Sequence, residues 1–176
     1  SKHVDVDFAD HVTLRKAIED QFRSHTPAGI VFCQRFRSES NADDLGFLKA
    51  AIDVELAPVF MLRDVIRDNQ VSGVSIVAFS SVAARLTNVD VPLGYQLAKA
   101  LTVSAVAHLA ALESDLGTRF NCVLLGDYLK YPRDSYTEIE LAKFSEIERV
   151  SFQKRLCGLR DIIGVTRFLL SEDSEY

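Results

Sequence analysis

Tyr95-Gln-Leu-Ala-Lys99 sets a phenol and an ammonium four residues apart, and Ser81 stands fourteen positions before that tyrosine. On a helix, positions four apart share one face and lie one turn from each other. An ammonium held there favours the phenolate, and a serine hydroxyl brought to the same spot can hydrogen-bond the same reacting oxygen. Together they could hand a proton to a developing alkoxide, the acid–base half of carbonyl reduction. Ser80 replaces Ser81 if the register differs by one. Each residue also has a plainer reading: Tyr95 as a helix-start aromatic meeting water, Lys99 as a surface cation, Ser81 as a loop cap.

The surrounding elements must bring these three side chains together. Val74–Phe79 is a continuous apolar run introduced by Gly73, which predicts a buried strand delivering Ser80 and Ser81 at its end. A loop spans residues 80–92, and an alanine- and leucine-rich helix is predicted over Leu93–Leu112, apolar almost all round and therefore buried on several sides. Upstream, His3–Phe8 alternates as a short strand, Val12–Phe22 has helical spacing, and Ile30–Cys33 reads as a strand buried on both faces. A long helix is predicted over residues 45–68, with Pro58 kinking or breaking it near its middle. Phe120–Leu125 predicts a further strand, ended by Gly126. Residues 127–150 show weak periodicity, with Glu138, Glu140, Glu146 and Glu148 in one solvated segment, and Asp161–Leu170 closes the chain as an amphipathic helix. Helices alternating with β-branched strands predict one α/β domain over residues 1–176, with a parallel sheet covered on both faces.

Composition bounds the partners. The 176 residues carry a formal net charge of −5, which argues against nucleic acid, since phosphate binding needs a basic face. Cys33, Cys122 and Cys157 form no C-x-x-C pair; Cys33 and Cys122 sit in apolar runs and read as buried thiols suited to a reducing cytoplasm. No apolar stretch reaches the length of a membrane span, and no charged-then-apolar leader opens the chain. His3, His11, His25 and His108 lack ligand spacing, so no metal is expected.

The strand ending in Ser80-Ser81, the Tyr95-x-x-x-Lys99 helix and the Asn121-x-Val123 strand together resemble the short-chain dehydrogenase/reductase family, over nearly the whole chain. The resemblance implies a Rossmann-like, doubly wound parallel sheet flanked by helices. It implies a small carbonyl or alcohol substrate and NAD or NADP as cofactor. Tyr95 would be the general acid/base, Lys99 would lower its pKa and hold the nicotinamide ribose, and Ser81 would polarise the substrate carbonyl. The loop before Tyr95 carries one residue more than is usual in the family. Val4-Asp5-Val6 resembles the end of the family's third strand, placing Asp5 and Val6 near the adenine, and Gly126 follows the strand that borders the nicotinamide. Helices 45–68 and 93–113 resemble the family's interface helices and imply a homodimer or homotetramer, with Leu97, Leu101, Ala105, Leu109 and Leu112 as the apolar stripe.

The cofactor-facing features depart from that pattern. No two of the eight glycines lie closer than six residues, so the phosphate-cradling G-x-x-x-G-x-G is absent. Relative to the family, the first βαβ unit and the last strand are missing. Cys33-Gln-Arg-Phe36 stands where the family has Asn-Asn-Ala-Gly, and bulky Arg35 and Phe36 should obstruct backbone approach to a dinucleotide. Glu55 occupies the place of a relay asparagine, and Leu125-Gly126 replaces a Pro-Gly turn. Two functions follow as expectations. One is an oxidoreductase whose dinucleotide site is supplied by further segments. The other is an inactive scaffold or partner subunit acting through its dimerisation helices.

Overall fold

A computed structural model describes residues 6–37 and 43–175. Asp5, and with it the first half of the strand expected over His3–Phe8, lies outside the described residues. The described part of that segment is no strand. Asp7 Oδ1 accepts from Ala9 N at 2.9 Å, and Asp10 N donates to Asp7 O, turning the chain straight into the next helix. A short carboxylate side chain offers the backbone this local bond in place of a ladder. Val6 is accordingly half-buried irregular chain. Asp10 then caps helix α1 (His11–Ser24) by accepting from Thr13 N.

Three strands, β1 (Gly29–Phe32), β2 (Ser75–Ser81) and β3 (Arg119–Leu125), form a parallel sheet in chain order. Gly29 pairs with Ser75 and Ser75 with Arg119, so the strands start level. Parallel neighbours require crossovers. The first crossover comprises α2 (Asp44–Ala51), a π-helical turn (Ile52–Leu56) and α3 (Ala57–Asp68); the second is α4 (Leu93–Leu112). Helices α5 (Glu138–Val150) and α6 (Leu159–Leu170) follow β3.

The break predicted at Pro58 is this π turn. Proline has no N–H to offer and its ring crowds the carbonyl four residues back, so the ladder widens just ahead of it: Ala57 N donates to Ile52 O. The two halves run on as one helical segment.

On one face of the sheet, Ile76 and Ala78 of β2 pack with Val59, Leu62 and Ile66 of α3 and with Val106 and Leu109 of α4. On the other face, Ser75 Oγ donates to Leu169 O of α6 at 2.7 Å. Burial of each such aliphatic side chain contributes about 1.5–3 kcal/mol. The central strand β2 is buried as expected, but β1 is not: Gly29 and Val31 are exposed while Ile30 and Phe32 are half-covered. An edge strand has a neighbour on one side only. Cys33, just beyond it, is exposed rather than buried. Between α1 and β1 lies an apolar groove of about 580 Å³, lined by Phe8, Ile18, Phe22, Ile30 and Phe32.

Helix α5 corrects the expectation for residues 127–150. Thr137 Oγ1 accepts from Glu140 N while Thr137 N donates to Glu140 Oε2, a reciprocal cap at the helix start. Two corrections concern α4. Leu109 faces the sheet at 3% exposure and cannot belong to an outward stripe. The helix is covered by the sheet, by α2 and by the π turn, and its remaining face leaves Leu97, Leu101 and Leu112 exposed. Among the described residues no helix is long and apolar enough to cross a membrane.

Candidate functional site

The site candidates gather where the C-terminal end of β2 meets the start of α4. Tyr95 and Lys99 occupy successive turns of α4 on one face, as the spacing requires. Lys99 Nζ lies 5.5 Å from the centroid of the Tyr95 ring. Arg35, from the turn after β1, brings its guanidinium carbon to 5.1 Å from the same centroid. Phe47 of α2 meets the ring edge-on at 6.4 Å, and Phe36 in turn packs against Phe47 at 5.2 Å. Two cations and an aromatic edge therefore hold a half-buried ring in place.

Helix α4 reaches this position because its first turn lies against that of α2. Gly94 N donates to Asp44 Oδ1 at 2.8 Å, and Gly94 is buried there. Lower on the helix, Ser80 Oγ donates to the carbonyl of Lys99 at 2.8 Å, tying β2 to α4. That bond occupies the Ser80 hydroxyl proton, so Ser80 has a holding role. Ser81, the next residue, projects to the other side of the strand. Its Oγ accepts from Ala83 N at 3.2 Å, capping a single 3-10 turn (Val82–Ala84) that packs on α4. The loop-cap reading of Ser81 is what the structure shows, and it leaves the hydroxyl proton free to donate.

Lys99 is not a surface cation. Its side chain is buried and its ammonium is paired with Glu55 Oε2, which is buried as well. Glu55 belongs to the π turn, whose widened register aims it at α4. Its second oxygen, Oε1, accepts from Phe36 N at 2.8 Å, and its backbone carbonyl accepts from Gln34 Nε2 at 3.1 Å. Glu55 thus joins Lys99 to the turn after β1. Local sequence pattern singles out Glu55 but does not encode this pairing. The available signal is a carboxylate flanked by Val54 and Leu56 in a largely apolar stretch, which needs a buried cation to be tolerated if the helix packs it inward.

Among the described residues neither Lys99 nor Ser81 hydrogen-bonds the Tyr95 hydroxyl. The structure brings Tyr95, Lys99 and Glu55 together and sets Ser81 at the adjoining strand end. Of the residues expected at a dinucleotide, Gly126 is exposed past the end of β3, and a side chain there would meet nothing within 4 Å.

These residues alone do not fit a dinucleotide. The Lys99 ammonium that would meet the nicotinamide ribose is buried on Glu55, Phe36 N is committed to the same carboxylate, and no glycine-rich turn exists to receive phosphates.

Neither the protein-family models nor the curated proteins include a match to this sequence. Solved structures do match. A double mutant of a Serratia marcescens short-chain dehydrogenase/reductase superimposes with a TM-score of 0.81 at 17% identity, over 98% of this chain and 70% of that one. A short chain dehydrogenase family protein from Francisella tularensis gives 0.77 at 19% identity, over 99% and 75%. A 3-oxoacyl-[acyl-carrier protein] reductase from Brucella melitensis, with bound NAD, gives 0.76 at 20% identity, over 97% and 64%. The chain has the Rossmann-like α/β fold of short-chain dehydrogenases/reductases, spanning about two-thirds to three-quarters of those proteins.

Proposed function

We propose that this chain carries the acid–base half of a short-chain dehydrogenase/reductase acting on a small carbonyl or alcohol. The observation that supports it best is the placement of Tyr95 and Lys99 on successive turns of α4, with Ser81 at the adjoining end of β2. In reduction, the substrate oxygen gains negative charge as the carbonyl carbon accepts hydride. Ser81 donates a hydrogen bond to that oxygen and Tyr95 delivers the proton; in oxidation Tyr95 takes it back. Hydride chemistry of this kind belongs to NAD or NADP, and its phosphates would have to be held by residues other than these 176. The free thiols of Cys33, Cys122 and Cys157 support a reducing compartment such as the cytoplasm.

The test pairs a binding measurement with a turnover measurement. In a protein that joins this chain to residues holding the phosphates, millimolar NADH or NADPH should raise the melting temperature. Consumption of the reduced nicotinamide with a panel of small aldehydes and ketones should fall on the order of a hundredfold or more in Tyr95→Phe. No melting shift with either nucleotide, together with no turnover, would overturn the proposal.

A second reading, an inactive scaffold or partner subunit, draws support from a different observation. Leu97, Leu101 and Leu112 of α4 are 43%, 40% and 59% exposed, and Phe60 of α3 is 43% exposed. Exposed apolar residues on the helices within 45–68 and 93–113 suit pairing with a second copy as a homodimer or homotetramer. Sedimentation as a monomer at tens of micromolar chain would remove that support.

A further inference from the structure

Arg35 is an exposed cation on an anchored turn. The residues on either side of it are tied to one partner: Gln34 Nε2 donates to the Glu55 carbonyl at 3.1 Å, and Phe36 N donates to Glu55 Oε1 at 2.8 Å. Gln34 and Phe36 are half-buried, whereas Arg35 between them is exposed and reaches across to Tyr95, its guanidinium carbon 5.1 Å from the ring centroid. An arginine laid over an aromatic face keeps its N–H fork for other acceptors. Among the described residues that fork meets no carboxylate and no other hydrogen-bond acceptor. The remaining charges around the ring are already matched: Lys99 is paired with Glu55, and Asp44 accepts from Gly94 N. One uncompensated positive charge is therefore left at the mouth of the site, beside the phenol.

We propose that Arg35 selects the substrate of this site by taking the carboxylate of a small 2-oxo or 2-hydroxy acid. The inference rests on reading Tyr95 and Ser81 as the groups that meet the reacting oxygen, and it narrows the substrate to an anion. A carboxylate on the carbon next to the reacting one can accept from the Arg35 fork while the reacting oxygen meets the two hydroxyls. Two parallel N–H···O bonds to a planar carboxylate fix the orientation of the ligand as well as its charge. A phosphate monoester suits the site less well. Its second negative charge would find only the Lys99 ammonium, which is already in contact with Glu55.

The test follows backbone amide NMR shifts during titration with racemic lactate, with its neutral analogue lactamide, and with acetate, in the absence of nucleotide. Lactate should bind at least about fivefold tighter than lactamide, because charge-assisted hydrogen bonds are roughly twice as strong as neutral ones. The shifts should centre on the amides of Arg35, Ser81 and Tyr95. Lactate should also bind at least about fivefold tighter than acetate, which brings the charge without a hydroxyl for Tyr95 and Ser81 to meet. Arg35→Gln, a change at an exposed side chain, should bring lactate down to the level of lactamide. A ratio below about fivefold in either comparison overturns the proposal. So does an Arg35→Gln chain that keeps the preference, and so does a chain that binds none of the three probes. If Arg35→Gln does not fold, the two comparisons on the unsubstituted chain decide alone. Turnover is read separately, so a chain that reduces neutral carbonyls without preferring lactate refutes this inference and leaves the oxidoreductase reading standing. A chain that prefers lactate but turns nothing over keeps the carboxylate site and refutes the oxidoreductase reading.

Discussion

Gly94 and Asp44 meet where the first turns of α4 and α2 touch, so closely that a Cβ on Gly94 would lie 2.4 Å from the Asp44 carbonyl oxygen. The obstacle is backbone, which cannot swing aside as a side chain can. Gly94→Ala must push the start of α4 away from α2 and break the 2.8 Å bond from Gly94 N to Asp44 Oδ1. A loss of about 1–3 kcal/mol is expected, read as a lowered denaturant midpoint with the slope unchanged. Tyr95 is the next residue, so its ring should also shift against Phe47. The contrast is Gly29→Ala, where the close neighbour at 2.8 Å is the tip of the Leu170 side chain and can rotate. That variant should cost less.

Cys33 and Cys122 should separate cleanly in reactivity. Burial pushes the Cys122 thiol up to about 11, and burial also raises Cys33, though Cys33 is exposed on the rim of the α1–β1 groove. The thiolate is the reactive form, and access multiplies its effect. At pH 8 a disulfide reagent should label Cys33 slowly and leave Cys122 untouched until the chain unfolds. Peptide mass mapping after a short exposure reads the order. Labelling of Cys122 ahead of Cys33 in the folded chain would contradict the half-buried setting of Cys122 and the exposure of Cys33.

Asp161 gives an acid limb to stability. Arg155 reaches its two oxygens at 2.6 and 2.9 Å, and Gly158 N donates to Oδ2 at 2.8 Å, capping α6. The hydrogen bonds from Arg155, followed by that from Gly158, hold the Asp161 carboxyl well below the usual carboxylate range. A depressed folded pKa contributes stability that is present above the unfolded pKa, and that contribution is lost as the pH falls through the folded value. The unsubstituted chain should therefore lose this contribution only below about pH 4 and progressively toward stronger acid. Asp161→Asn should melt lower at pH 7 and show a shallower decline over that acid range. Parallel melting curves for both chains from pH 7 to pH 2 would refute it.

Much of this architecture is legible in the residues, and the failures have identifiable physics. The Leu93–Leu112 helix and the Val74 and Phe120 strands follow from periodicity and from runs long enough to be unambiguous. Pro58 announces a break, though not that the chain would absorb it as a π turn aiming Glu55 inward. Helix α5 was missed because its apolar signal is weak, yet Thr137-x-x-Glu140 is a cap signature visible in the sequence. Burial of β1 was misjudged because a short apolar run looks the same at an edge as at the centre of a sheet. In the site, Tyr95 and Lys99 were found by spacing along one helix. Their partners Glu55, Arg35 and Phe47 were not identified as partners, because they arrive from other elements, at sequence distances that local pattern does not encode.

Glu113 offers the sharpest test of what holds α3 to the end of α4. Its side chain is fully buried, yet it carries a charge, which is tolerable only with cations in contact. Arg63 Nε donates to Glu113 Oε1 at 2.6 Å, and Arg67 Nε lies 2.6 Å from Oε2 in charge contact but outside hydrogen-bond alignment. Both arginines sit one turn apart on α3, and Arg67 also donates to Leu112 O at 2.8 Å, so the cluster closes the C-terminal end of the α3–α4 contact. Glu113→Ala removes the carboxylate that contacts both guanidinium groups, leaving Arg63 on Asp64 and Arg67 on Asp115, and leaves a hole behind. Because the arginines are about one-third exposed, water can partly replace the lost carboxylate. The expected cost is therefore about 2–4 kcal/mol rather than the larger figure for a fully enclosed pair. Arg63→Ala should cost less than Glu113→Ala, since Arg67 still neutralises the buried carboxylate. Denaturant midpoints of the two single variants, measured in low and high salt, provide the check. A Glu113→Ala cost no larger than that of Arg63→Ala would mean that the carboxylate is not the centre of the cluster.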